Sequence, residues 1–182
     1  MKDHSVIWTK NSTDERFTPD WAVKPIVEFI DPSWTVWCPF DEKDSEFVKI
    51  LNKHCKVIHS HIRTGQDFFN YEPDEHYDAI ISNPPFRNKR LFFERAFDLQ
   101  KPFALIMTLT WLADRAPIKL FMERKAELQL LMFDQRMEFM NNVGQEGDKI
   151  TFCCAYYCHR LLPSNIVLRQ LEGKPSKSKK TK

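Results

Sequence analysis

The chain lacks the sequence features of secreted and membrane proteins. No apolar run in it reaches the roughly 20 residues that a membrane-spanning helix needs. Met1-Lys2-Asp3-His4 at the N-terminus leads into polar residues, so we expect no signal peptide. The five cysteines are an odd number without a regular disulfide framework, which favours reduced thiols. Together these absences predict a cytoplasmic protein.

A strong excess of charge is also missing. The 27 Lys and Arg residues nearly balance the 25 Asp and Glu residues, which leaves a net charge of +2. This excludes a chain that is basic throughout and leaves only local basic patches for contacts with nucleic acid. Residues 174–182 form one such patch, a Lys/Ser/Pro segment that we expect to be a disordered tail. The tail would attract phosphates non-specifically or serve only as a solubilising terminus.

The chain has enough apolar residues for a sizeable core. Its 182 residues are 42% apolar and include 15 Phe, a composition typical of a globular protein. We therefore expect residues 1–173 to form a single domain.

Apolar runs alternate along the chain with segments of helical periodicity. We predict seven strands, at residues 34–38, 56–62, 78–83, 103–109, 128–133, 150–158 and 166–171. We predict helices after Trp21 and over residues 45–53, 91–99 and 118–127, with Thr18 or Asp20 capping the first and Asp44 or Ser45 the second. This alternation predicts an α/β fold with a mostly parallel sheet and helices on both faces. The last two strands are predicted to close the sheet as an antiparallel pair.

The most informative segment is Asn83-Pro84-Pro85-Phe86, which follows an apolar strand. Two prolines cannot continue a sheet, because neither donates a hydrogen bond and both have a fixed φ. Asn83 should therefore lie on a stiff support at the carboxyl end of a strand, where ligands bind in open α/β sheets. An amide followed by an aromatic ring at such a place suits a planar substrate that carries an amino group.

This segment resembles the (Asp/Asn/Ser)-Pro-Pro-(Tyr/Phe/Trp) signature of S-adenosylmethionine-dependent amino-methyltransferases, above all the adenine-N6 enzymes that act on nucleic acid. Small DNA adenine methyltransferases of phage-like origin are the most similar group. The resemblance covers roughly residues 17–171 and implies a Rossmann-like class I methyltransferase fold. It also implies that Asn83, Pro84, Pro85 and Phe86 are the catalytic segment.

The resemblance implies further residues that would bind S-adenosylmethionine. The family has a Thr-Pro segment before its first strand, a Pro-Phe loop after that strand, an acidic residue at the end of the second strand, and an Asp followed by an aromatic residue. The corresponding positions here are Thr18, Pro19 and Trp21; Pro39, Phe40 and Asp41; His61; and Asp67 with Phe68. Asp67 would accept a hydrogen bond from the adenine amine, since a carboxylate is an acceptor only. Asp67 could instead simply cap its own loop.

Two departures from the family pattern concern the cofactor. Cys38 replaces the Asp of the first loop, and no glycine follows it. Ser60 or His61 replaces the acidic residue that holds the ribose in the family. Glycines in such a loop let the backbone approach the cofactor closely. A degenerate fold that binds nucleic acid or a protein without catalysis is therefore an alternative.

Basic residues follow the central motif at Arg87, Lys89 and Arg90. They could bind the phosphates of a nucleic-acid substrate, or form a solvated helix start. DNA is favoured over RNA as the substrate, and guanine in RNA is a further alternative. Hardly any chain follows the last predicted strand, so a protein partner could supply target specificity.

Two groups of residues are of types that can ligate metals: His59 with His61, and Cys153, Cys154 and Cys158 with His159. The first group lacks a third ligand nearby. The second lies in an apolar strand pattern, in which neighbouring side chains point to opposite faces. We therefore predict no metal site.

Overall fold

A computed structural model of the protein describes residues 18–139 and 150–173. The predicted tail at 174–182 and the N-terminal residues 1–17 lie outside the described residues. A seven-stranded sheet has the order β2-β1-β3-β4-β8-β5-β9. Its strands are β1 (Thr35–Cys38), β2 (Lys56–His59), β3 (Ala79–Ser82), β4 (Phe103–Thr108), β5 (Gln129–Phe133), β8 (Cys154–His159) and β9 (Ile166–Arg169).

Four α-helices and a small hairpin complete the described fold. The helices are α1 (Asp20–Val23), α2 (Glu46–Leu51), α3 (Lys89–Asp98) and α4 (Arg115–Glu123), with 3-10 turns at Lys24–Phe29, Ile62–Thr64 and Leu109–Ala113. The hairpin pairs β6 (Met137–Phe139) with β7 (Ile150–Phe152) in antiparallel orientation. No helix in the described ranges is both long and apolar enough to cross a membrane.

The pairing confirms the predicted sheet of seven strands. β1 pairs in parallel with β2 and β3, β3 with β4, and β5 with β9. β8 is antiparallel to both of its neighbours, β4 and β5. The last two strands run in opposite directions as expected, but β5 lies between them, so they do not pair with each other.

The predicted strand at 150–158 is divided in two. Cys153 is exposed and lies between β7 and β8, and its carbonyl accepts a hydrogen bond from the Leu109 amide at 2.7 Å. Because this carbonyl bonds to the turn after β4, the segment leaves the small hairpin and enters the main sheet at this point.

Helices cover both faces of the sheet, as predicted. Neighbouring strand residues point to opposite sides, so apolar strands place side chains in a core on each face. Val36 and Ile81 face one core, which contains Trp21 of α1 and Phe47 of α2. Residues that alternate with them face a second core beneath α3 and α4; they include Trp37, Ile80, Phe103, Leu105 and Tyr157. All six residues of β4 are buried, as expected for a central strand covered on both faces.

Capping decides how the first two helices begin. Ser45 precedes α2 and its Oγ accepts a hydrogen bond from the Val48 amide at 3.2 Å, which confirms one of the two predicted caps. Pro19 precedes α1 without any side-chain cap, so the prediction that Thr18 or Asp20 caps it is wrong. Asp20 instead forms an ion pair with Lys24. The helix passes into a 3-10 turn at Lys24–Phe29, where Pro25 has no amide to continue the α-helical pattern.

Candidate functional site

Three neighbouring parallel strands, β2, β1 and β3, end at the same edge of the sheet. Pro39, Ser60 and Asn83 directly follow these strand ends. This edge therefore gathers most of the residues that the sequence indicates, and it is the place where open α/β sheets bind ligands.

Asn83 presents an acceptor without a partner at this edge. Its Nδ2 donates a hydrogen bond to Thr18 Oγ1 at 3.0 Å. Its Oδ1 is buried and accepts no hydrogen bond from any residue that the structure describes. Leaving a buried acceptor unsatisfied costs about 1–3 kcal/mol, so this oxygen is prepared to accept a donor from a ligand.

The rest of the motif forms a firm support beside this oxygen. Pro84 is buried and Pro85 is half-buried. The half-buried Phe86 ring packs edge-on against Phe139, with 5.8 Å between the ring centroids. Phe139, which the sequence analysis did not single out, thus anchors the aromatic residue of the motif. No sequence signal indicates this contact, since Phe139 belongs to a strand of only three residues.

Asp41 links the loop after β1 to the residue before Asn83. Its carboxylate accepts hydrogen bonds from the hydroxyls of Ser82 and Ser45. Asp41 is 7% exposed, and burial raises the pKa of its carboxyl group to about 6 in spite of these two bonds. The predicted cofactor residue Asp41 therefore bonds to the protein's own hydroxyl groups. Ser45 and Ser82 are the partners that sequence reasoning missed.

Main-chain bonds tie the same loop to the end of β2. The Asp41 amide donates to the Ser60 carbonyl, and the Ser60 amide donates to the Cys38 carbonyl, both at 3.1 Å. Trp37 Nε1 donates to Ser60 Oγ at 2.9 Å. These bonds continue the β1–β2 pairing beyond the strand ends. A loop without glycine is thus fixed by side-chain and main-chain hydrogen bonds.

His61 follows Ser60 and is almost fully buried, with 9% of its surface exposed. Its Nδ1 accepts a hydrogen bond from the Arg63 amide at 3.1 Å, so the neutral ring carries its proton on Nε2. Burial lowers the pKa of His61, although Glu42 Oε1, 3.5 Å from Nδ1, opposes this effect. His61 is therefore a neutral hydrogen-bond donor at neutral pH.

The structure corrects part of the assignment of Asp67 and Phe68. Phe68 is 2% exposed and packs against Trp37 and Phe40, with ring centroids 5.5 and 5.0 Å away. Its ring is a core residue and is not accessible to a ligand, because these aromatic side chains cover it. Asp67 Oδ1 accepts a hydrogen bond from the Phe69 amide at 3.1 Å, so Asp67 does cap its own loop. Its second oxygen has no hydrogen-bond partner among the described residues.

The other predicted cofactor residues line the edge to different extents. Pro19, Pro39 and Trp21 are buried, and Trp21 belongs to the core beneath α1. Phe40 is half-buried at the edge and contacts the rings of Phe68 and Phe92. Phe40 is therefore the predicted aromatic residue that retains an accessible surface.

The basic residues after the motif have different environments. Arg90 forms ion pairs with Glu94 at 2.6 Å and with Glu123 at 3.3 Å. The pair with Glu123 links α3 to α4. Arg87 is exposed and Lys89 half-buried at the start of α3.

No group of three metal-ligating side chains is present in residues 18–139 and 150–173. All five cysteines are free thiols, and four of them are buried. His59 and His61 do not share a strand face, since β2 ends at His59.

Comparisons with known proteins place the fold in one structural class. No family model matches the sequence, and no curated protein is similar to it in sequence. The fold is similar to that of a candidate RNA methyltransferase from Pyrococcus horikoshii, with a TM-score of 0.56, 16% identity, and coverage of 85% of this chain and 88% of that one.

Two subunits of type I restriction-modification enzymes show similar folds. One belongs to a candidate type I restriction enzyme from Vibrio vulnificus YJ016 (TM-score 0.57, 11% identity, 88% of this chain). The other is the type I restriction-modification methyltransferase subunit from Streptococcus thermophilus (TM-score 0.50, 11% identity, 91% of this chain). This chain spans only 48% and 49% of their lengths. The protein therefore has the Rossmann-like fold of the methyltransferases.

Proposed function

We propose that the protein transfers a methyl group from S-adenosylmethionine to the N6 amino group of adenine in nucleic acid, with DNA favoured over RNA. The observation that carries this proposal is the buried Asn83 Oδ1, which accepts no hydrogen bond within the described structure. It lies at the carboxyl end of β3 and is followed by Pro84, Pro85 and Phe86.

An acceptor at this position addresses the main difficulty of the reaction. The lone pair of an aromatic amine is delocalised into its ring, so the amine is a poor nucleophile. Asn83 Oδ1 and the Pro84 carbonyl would accept the two amino hydrogens and localise the lone pair towards the methyl group. The chemistry then needs no general base, because the proton can leave after transfer.

Phe86 would hold the target base in position. A ring stacked on a base contributes about 1–3 kcal/mol, and Phe139 fixes the orientation of this ring through its edge-on contact. A base inside a duplex would first have to be flipped out of its stack. Much of the acceleration would then come from positioning.

The residues present fit the adenosine part of the cofactor. Asp67 is half-buried and keeps one carboxylate oxygen without a partner among the described residues, which suits the amine of an adenine. Phe40 offers a half-buried ring at the same edge, and His61 lies just after the end of β2. S-adenosylmethionine would supply the methyl group on its sulfonium. The chain would bind and orient it through Asp67, Phe40 and His61, in place of a glycine-rich loop.

The folds similar to this one support nucleic acid as the substrate class. One neighbour is a candidate RNA methyltransferase of similar length, and the two modification subunits are about twice as long. RNA adenine is therefore the second candidate substrate. A protein partner could supply target recognition to this chain.

The test is transfer of label from methyl-tritiated S-adenosylmethionine to DNA and to total RNA, followed by identification of the methylated base. We expect N6-methyladenine in one of the two pools. Asn83→Ala should abolish transfer while S-adenosylmethionine binding, measured by calorimetry, is retained. Asn52→Ala is the matched control, because Asn52 is exposed at the end of α2, and it should keep full activity.

The glycine-free loop favours a second candidate, a methyltransferase fold that binds nucleic acid or a protein without catalysis. This candidate requires that the wild type neither binds the cofactor nor transfers label. Cofactor binding without transfer to either pool would instead indicate a protein substrate or a missing partner. Full activity of Asn83→Ala would show that another group holds the amine.

A further inference from the structure

The Asn83 side chain is held at one end and open at the other. Nδ2 donates to Thr18 Oγ1 at 3.0 Å, while Oδ1 has no partner among the described residues. The final torsion of an asparagine side chain is soft, so an amide without an anchor rotates over a broad range. The hydrogen bond with Thr18 restricts this rotation in the described structure.

Thr18 reaches Asn83 from a distant part of the chain, 65 residues away in sequence. Thr18 is 9% exposed, and the next residue, Pro19, has an extended backbone with φ −72° and ψ 157°. The Ala22 amide donates to the Pro19 carbonyl at 3.0 Å, and the Tyr156 hydroxyl donates to the Ala22 carbonyl at 2.8 Å. Thr18 is therefore attached to a short helix that is fixed to β8 of the main sheet.

We propose that the Thr18 hydroxyl is a positioning group, which holds the Asn83 amide so that Oδ1 points at the substrate amine. This inference rests on the proposed function. It gives Thr18 a role different from the one that the family resemblance implies, since the hydroxyl acts on Asn83 and not on the cofactor.

The geometry favours this role over cofactor binding. A threonine hydroxyl that accepts from a buried amide at 3.0 Å satisfies a donor that would otherwise be unpaired. Thr18 makes no other hydrogen bond with a described residue. Removing the hydroxyl would leave Nδ2 without a partner, and the amide would gain rotational freedom at the atom that acts in transfer.

The test compares Thr18→Val with Thr18→Ser. Valine keeps the shape of threonine and loses the hydroxyl, whereas serine keeps the hydroxyl. We expect Thr18→Val to lower kcat about tenfold or more, the equivalent of one hydrogen bond in the transition state, and Thr18→Ser to retain kcat within about threefold. The Kd for S-adenosylmethionine should change little in either variant. The melting temperature should be retained in Thr18→Ser and should fall in Thr18→Val, because Asn83 Nδ2 loses its partner.

A loss of cofactor affinity in Thr18→Val equal to its loss of activity would overturn the proposal and assign Thr18 to the cofactor. Failure of Thr18→Ser to restore kcat would also overturn it. If the wild type transfers no methyl group, or if Asn83→Ala is fully active, the proposed function has failed instead.

A second measurement tests the hydrogen bond between Thr18 and Asn83 and does not require an activity assay. The side-chain NH₂ signals of Asn83, assigned by their loss in Asn83→Ala, can be followed by NMR in ¹⁵N-labelled protein. We expect them to be well dispersed and protected from exchange in the wild type and in Thr18→Ser. In Thr18→Val they should shift towards the values of an exposed amide, and unchanged signals would show that Thr18 does not hold Asn83.

Discussion

At the scale of single residues, Asp41 is a carboxylate buried between hydroxyl groups. Ser82 and Ser45 donate to it, and the other titratable groups that interact with it are the buried Cys38 thiol and the Tyr156 hydroxyl. Burial raises the pKa of Asp41 from 3.8 to about 6. The folded protein therefore binds this proton more tightly than the unfolded chain does, and the stability contribution is lost as pH rises from about 4 to about 6.

We predict that Asp41→Asn stabilises the protein above pH 6. The two pKa values of Asp41 differ by about two units, so the ionised carboxylate costs up to about 3 kcal/mol at neutral pH. Asparagine keeps an acceptor for Ser82 and removes the charge. Urea unfolding at pH 4–8 should show the advantage of the variant growing between pH 4 and 6 and then levelling off. Asp74→Asn, at an exposed position, should give a flat difference, and a flat difference for Asp41→Asn would contradict the prediction.

Asp67 allows two roles of one side chain to be separated. Oδ1 caps the loop at the Phe69 amide, and under the proposed function the second oxygen would bind the cofactor. Asp67→Asn keeps an oxygen for the cap but places an NH₂ group, a donor, opposite the adenine amine. We expect calorimetry to show S-adenosylmethionine binding weakened about tenfold or more with an unchanged melting temperature. Asp67→Ala should lose both affinity and stability, and normal affinity in Asp67→Asn would remove this assignment.

The sequence predicts the environments of some site residues better than those of others. Asn83 is placed correctly at a strand end because two prolines permit little else. The burial of Phe68 is not predicted, since an aromatic residue after a loop aspartate can either contact a ligand or pack in the core. Only the contacts with Trp37 and Phe40 decide between these two roles. The contact of Asp41 with Ser82 spans 41 residues, and no local pattern encodes it.

At the scale of elements, α1 is only four residues long and depends on the sheet for its position. An isolated helix of this length has no stability of its own. The Tyr156 hydroxyl fixes it by donating to the Ala22 carbonyl, and three of its residues are buried. A change at Tyr156 should therefore affect Thr18 and Asn83 through the helix.

We predict that Tyr156→Phe lowers both stability and methyl transfer. The lost bond leaves a buried carbonyl unsatisfied, at a cost of about 1–3 kcal/mol in the free energy of unfolding. Tyr157→Phe is a matched control, because the Tyr157 hydroxyl also donates to a carbonyl, that of Thr108, at 2.9 Å on the opposite face of the sheet. Both variants should unfold at lower urea, but only Tyr156→Phe should lower kcat per folded molecule. Equal kcat values in the two variants would show that α1 does not transmit the change.

The elements of the main sheet were predictable because most are apolar runs of the expected length. The partners of the last strands were not predictable, since β9 could bury its apolar residues equally well beside β5 or beside β8. β7 lies within the predicted strand at 150–158. β6 was not predicted, because a strand of three residues carries too little periodicity to be recognised, and the hairpin was therefore missed.

At the scale of the whole molecule, the proposed function requires contact with a nucleic acid, and the distribution of charge bears on that contact. The chain carries a net charge of +2, yet its last nine residues alone contain five lysines. Without those five positive charges the chain of +2 becomes one of −3. Arg90, a predicted phosphate contact, is already paired with Glu94 and Glu123. We therefore expect the long-range attraction to phosphates that the proposed function requires to depend on the C-terminal lysines.

We predict that replacing these five lysines with glutamine weakens binding to a duplex oligonucleotide without changing the melting temperature. Each lysine that contacts a phosphate releases counterions, so the slope of log K against log salt should become less negative by up to about 0.9 per lysine lost. Glutamine keeps the length of the segment, which separates charge from chain length, and truncation after Gly173 should give the same slope. Fluorescence anisotropy at several salt concentrations measures both quantities. A slope equal to that of the wild type would assign the phosphate contacts to the domain itself, with Arg87 and Lys89 as the next residues to replace, because both lie at the start of α3 beside the motif.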